Sequence, residues 1–151
     1  MQPSGVRELS ALLSAGAVTE FDKALLRSIH WFALAHQQRH RTTRVLALTT
    51  ALETMLSRQK GSGLIATTVA EGVAFVSGSN YAERKEIKGQ VLELYDIRSN
   101  ISDGSVAEVT LADLQRLTVL TRDFLYQMVW SRREMKSRAD LAAWIEQRRL
   151  S

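Results

Sequence analysis

Pro3 is the only proline in a chain of 151 residues, so nothing after it carries the strongest helix breaker. Inside a helix, proline removes a backbone donor and clashes with the preceding turn, at a cost of about 3 kcal/mol. From Phe21 onward, apolar residues recur at three- and four-residue intervals, the period of a helix with one buried face. No convincing run of alternating β-type residues occurs. An all-α chain follows, and its length suits a single domain able to bury a core without disulfides or metal.

Capping residues and glycines divide the chain. Thr19 can cap the amides of TEFD and start a first helix whose stripe is Phe21, Leu25, Ile29, Phe32 and His36, with Pro3 outside any helix. A second helix, about Thr42–Arg58, places Val45, Leu48, Leu52, Met55 and Leu56 on one face, with Glu53 at its edge. After KGSG, LIATTVAEGVAFV gives a third helix of small side chains, and Asn80 with Glu83 can cap a fourth that runs to about Ile101. Thr110 with Asp113 opens the stretch Leu111–Arg133, in which Leu114, Leu117, Thr118, Leu125, Met128 and Val129 point inward. Ser137 with Asp140 caps a last short helix. The expected architecture is an antiparallel bundle of about five main helices plus a short C-terminal one, over residues 19–151. Residues 1–18 read as an arm or a short helix.

The absence of cysteine removes disulfide frameworks, thiolate zinc sites and cysteine nucleophiles, and fits a reducing cytoplasm. No apolar run reaches the roughly 20 residues of a membrane span, and MQPSGVRELS has no secretory pattern. The phosphate-loop, dinucleotide, nucleophile-elbow and zinc-protease motifs are all missing. The expectation is a cytoplasmic chain with no cofactor. A net charge of +4 and a pI near 9.8 leave room for a polyanionic partner. Between Arg27 and Lys60, Glu53 is the only acid among Arg27, Arg39, Arg41, Arg44, Arg58, Lys60 and three histidines.

One cation breaks the pattern. At 100° per residue from Ile87, Val91 falls at about 40°, Leu94 at about 340° and Arg98 at about 20°. Arg98 therefore points where the core leucines point. An unpaired guanidinium there costs several kcal/mol, so Arg98 must meet a carboxylate, several carbonyls, a cleft or another subunit. Glu53, bordering the core of another helix, is the leading internal partner; a phosphate-facing cleft is the alternative, since the guanidinium fork fits both anions.

ALETML at Ala51–Leu56 and ERKEIKGQVLELYDIRSNISDG at Glu83–Gly104 together resemble the Apea-like branch of the HEPN (higher eukaryotes and prokaryotes nucleotide-binding) superfamily. Its members show an ALE-type segment on one helix and a later helix ending in LY-x-x-RS-x-I-x-H-G. The resemblance spans roughly residues 30–133. It implies an all-α bundle, often a homodimer, with the arginine and histidine of both protomers facing one cleft. Active relatives are metal-independent endoribonucleases of phage defence, toxin–antitoxin pairs or RNA processing, so RNA and an antitoxin-like protein are implied partners. Carried over by position, Arg98 matches the motif arginine, Ser99 the polar residue after it, with Asn100 next. The motif histidine falls on Asp103.

That departure changes the chemistry. Metal-free RNA cleavage needs the ribose 2′-OH deprotonated, the leaving oxygen protonated and the phosphorane charge stabilised. Arginine can do the last of these. An imidazole with a pKa of about 6.5 can move either proton at neutral pH, whereas an aspartate near 3.9 is protonated in about one molecule per thousand. It also sets negative charge beside a phosphate. In SDGS, an aspartate before glycine is ordinary turn chemistry. The resemblance thus implies a dimeric RNA-binding domain with cleavage lost or reduced; the other reading is a non-catalytic interaction module with Arg98 in a structural ion pair.

Other candidates have plainer explanations. Arg39, Arg41 and Arg44 could line an RNA path or simply solvate a helix end, and the same holds for Arg132, Arg133, Lys136 and Arg138. His36 and His40 have the spacing to share a metal but lack a third ligand, and His30 stands apart. Trp31, Trp130 and Trp144 could stack on bases, but their helical spacing favours burial in the core or an interface.

Overall fold

Side-chain caps fix where most of the helices begin. In the computed structural model, which describes residues 3–15, 18–57, 65–102 and 108–151, seven helices are present: α1 (Pro3–Ala15), α2 (Glu20–Gln37), α3 (Arg41–Leu56), α4 (Ile65–Ser77), α5 (Tyr81–Ser102), α6 (Leu111–Ser131) and α7 (Arg138–Leu150). The Asp22 amide donates to Thr19 Oγ1 at 3.0 Å, and the Glu83 amide to Asn80 Oδ1 at 3.0 Å. Thr110 and Asp113 cap each other's amides at 3.0 and 3.3 Å, as Ser137 and Asp140 do at 3.2 Å. Each such cap satisfies amides that have no partner within the first turn, for about 1 kcal/mol.

Turns at residues 38–40 and 78–80 fold α2 onto α3 and α4 onto α5. Two helices are central: α3 packs on α2, α4, α5, α6 and α7, and α6 on α1 through α5. Leu48 and Leu52 from α3 meet Leu117, Phe124 and Met128 from α6 in one buried core. Burying each of these side chains contributes about 1.5–3 kcal/mol. A buried bond from Ser28 Oγ to the Ala51 carbonyl, 2.6 Å, ties α2 to α3. Gly72 lets α4 approach α3, because a Cβ there would lie 2.6 Å from Leu56 Cδ2. Among the described residues there is no strand, and no helix is long and apolar enough to cross a membrane.

The N-terminal segment is a helix in the same core. Leu12 is fully buried with Phe21 and Leu125, and Glu8 sits among cations: Arg132 Nη1 is 3.4 Å and Arg133 Nε 2.7 Å from its carboxylate. Arg132 also grips Asp22. Pro3, expected outside any helix, is the first residue of α1, where a missing N–H interrupts no intrahelical bond.

Several expected placements differ. The α2 stripe turns from His36, which is exposed, to Ser28 and Ala35, because steps that are mostly four residues drift off the 3.6-residue turn. Thr118 is half-buried, and Thr121 and Phe124 take the inward positions of α6. Trp31 and Trp130 keep 38% and 37% of their surface, and half-buried Trp144 lies under Arg148, whose Cζ is 4.5 Å from the ring centroid. Trp144 packs against the edge of the core, as its helical spacing suggested, whereas Trp31 and Trp130 stay at the surface.

Candidate functional site

Arg98 and Glu53 come from α5 and α3, which pack directly on each other. Tyr95 lies one turn before Arg98 and Thr49 one turn before Glu53, so each helix presents two polar groups on one face. Arg98 Nε donates to Thr49 Oγ1 at 3.0 Å, and Arg98 Nη2 lies 3.3 Å from Glu53 Oε2. The latter contact is an ion pair by distance, but its alignment falls short of a hydrogen bond, leaving that buried oxygen without one among the described residues. The guanidinium carbon also stands 5.7 Å from the Tyr95 ring centroid. Thr49 is itself anchored, donating to the Val45 and Leu46 carbonyls at 3.0 and 3.1 Å.

The cluster is half open. The Arg98 and Glu53 side chains keep 30% and 17% of their surface, while Tyr95 is buried. The Tyr95 hydroxyl has no bond of strict geometry among the described residues, although it lies close enough to Glu53 for the two to interact. Burial, then the Glu53 carboxylate, push its ionisation well above the ordinary tyrosine range, against the opposing pull of Arg98. At neutral pH it is a neutral phenol. What the cluster offers is a fixed cation reaching solvent from one side, with a carboxylate and a phenol behind it.

Ser99 and Asn100 follow on α5 and are exposed, whereas Asp103 lies outside the described residues. Tyr95 is the tyrosine of the LY-x-x-RS segment, and the one signal for Thr49 is that it lies one turn before Glu53. The remaining cations divide in two. Arg41 Nη1 donates to the Val109 carbonyl at 3.1 Å, tying the start of α3 to the segment before α6, and Arg44 Nε to the Gln38 carbonyl at 2.9 Å, bracing the α2–α3 turn, while Arg39 is exposed. Arg132, Arg133 and Arg138 are held in ion pairs; Arg138 Nε meets Glu20 Oε1 at 2.6 Å.

His36 Nδ1 lies 2.8 Å from the Phe32 carbonyl, and no group of three metal-ligating side chains is assembled among the described residues. A shallow groove runs along the first half of α5 beside α6, lined by Tyr81, Lys85, Glu86, Gly89, Glu93 and Arg116, without Arg98 or Glu53. No protein-family model matches the sequence, and comparison with curated proteins and with solved structures gives no significant match.

Proposed function

We propose that this chain is a HEPN-like RNA-binding domain, acting as a homodimer and related to metal-independent endoribonucleases, in which cleavage is lost or reduced. The observation that supports this reading most is Arg98: it projects from the last turns of α5, is held by Thr49 and Glu53, and still reaches solvent beside exposed Ser99 and Asn100. An immobilised guanidinium of this kind suits a phosphate, because little side-chain entropy is left to lose on binding. Proton transfer is what the motif lacks, with Asp103 where its histidine would stand.

The test is Asp103→His, assayed on single-stranded RNA without divalent metal, alone and combined with Arg98→Ala. Cleavage that appears in the first and vanishes in the second supports the reading. No cleavage, together with RNA affinity unchanged by Arg98→Ala, removes it.

The Glu53 contact favours a second reading, in which Arg98 is a structural ion pair and the chain an interaction module. That reading expects Arg98→Ala to lower stability while leaving RNA binding as it was.

A further inference from the structure

No acidic residue occurs between Asp22 and Glu53. Within that interval, the outward side of α2 carries Lys23, Arg27, His30 and Trp31, all exposed, with Arg27 one turn after Lys23 and His30 and Trp31 one turn after Arg27. Lys23 has no ion pair among the described residues. Arg27 lies near Glu20, whose carboxylate is already held by Arg138. By contrast Arg98, Arg116, Arg122, Arg132, Arg133, Arg138 and Arg149 all sit within 4 Å of a carboxylate. Among the described cations without such a carboxylate, Lys23 and Arg27 share the outward side of one helix with an exposed indole.

The indole stands in line with those charges. Trp31 follows Arg27 by four residues and keeps 38% of its surface, although alanines on the inner side of the same helix are fully buried. Exposed Arg39 lies past the end of α2, in the turn that Arg44 braces. From Lys23 to Trp31 the line is a track of about 12 Å, from the helical rise.

We propose that the outward face of α2, through Lys23, Arg27, His30 and Trp31, binds single-stranded nucleic acid: the cations take phosphates and Trp31 stacks on a base. Charge complementarity selects a polyanion, and an exposed aromatic ring one turn from a cation selects one with flat apolar faces. An acidic protein segment would use the charges but leave the indole unused. The inference rests on the RNA-binding half of the reading above and not on the Arg98 cluster, since α2 packs on α3, α6 and α7 and α5 on α3, α4 and α6.

The test is binding of a labelled oligouridine by the full chain at several salt concentrations, with polyphosphate and a polyglutamate peptide as comparison probes. Trp31→Ala is expected to weaken oligouridine binding roughly tenfold, Trp31→Phe to restore most of it, and neither to affect polyphosphate. Lys23→Gln with Arg27→Gln is expected to flatten the logarithmic salt slope by about 1.4. Arg98→Ala is the control for the other site: loss there alone, with the α2 variants unchanged, overturns this proposal and leaves the nuclease-like reading standing. Equal binding of oligouridine and polyglutamate, or insensitivity of both to Trp31→Ala, also overturns it. Circular dichroism and thermal melting confirm that each variant is folded.

Discussion

Arg132 holds Asp22 with two parallel contacts, Nε to Oδ1 at 3.1 Å and Nη2 to Oδ2 at 3.0 Å, joining the end of α6 to the start of α2. The Asp22 side chain keeps 4% of its surface and that of Arg132 12%, so water screens the pair poorly. Glu8 adds a second carboxylate from α1. Three helices therefore depend on one guanidinium.

Replacing Arg132 with methionine leaves Asp22 charged, buried and without its main partner. The expected loss is roughly 3 kcal/mol, as for breaking a buried pair from one side. Urea unfolding of Arg132→Met checks this; a loss below about 1 kcal/mol would mean the pair is a surface bridge in effect.

The same pair gives an acid dependence. Burial alone would raise the Asp22 carboxyl, but bonds from Arg132 and the Val18 amide outweigh it and hold the group below its ordinary value of 3.8. The folded state thus binds the proton less readily than the unfolded chain. Its contribution is complete above pH 3.8 and declines as pH falls through the lower folded value. Thermal melting between about pH 2 and 6 is expected to show a shallower acid decline in Asp22→Asn than in the parent.

Tyr95 sets the opposite limit. Unfolded, it ionises at about 10; folded, it resists, so rising pH favours the unfolded chain. Absorbance titration at 295 nm should show equal phenolate amplitude in the parent and in Tyr95→Phe as long as both remain folded, with the parent unfolding at lower alkaline pH. A larger amplitude in the folded parent would show that the hydroxyl reaches water.

Two glycines separate backbone entropy from packing. Gly89 has nothing within 4 Å of a Cβ, so Gly89→Ala should stabilise α5 by about 0.5–1 kcal/mol. At Gly72 the added carbon would meet Leu56, a buried side chain, 2.6 Å away. Gly72→Ala is expected to cost about 1–3 kcal/mol by overpacking. Melting temperatures that move in the same direction for both would contradict this packing.

What could be read in the sequence was local. Thr19, Thr110 and Ser137 announce helix starts because a cap needs only its own next three residues, and Arg98 stands out by its angle along one helix. Its contact with Glu53 is legible because Glu53 borders the core face of another helix, where a buried guanidinium needs a carboxylate. The Asp22–Arg132 pair was not: both look like ordinary terminal charges, and nothing local reveals a partner 110 residues away. Helical spacing favours core or interface burial for Trp31 and Trp130, but spacing along one helix does not say how much room an indole finds inside, and both stay partly exposed.

The Ser28–Ala51 bond has a kinetic consequence. It closes a hairpin of adjacent helices, a contact of short range that the chain can find early, whereas Arg132 must wait for the chain's two ends to meet. Ser28→Ala should therefore slow refolding, and Arg132→Met should chiefly hasten unfolding, a difference visible in the two arms of a chevron plot. The lifetime of the folded chain would then be governed by its last-formed contact, and the speed of its assembly by a single serine hydroxyl.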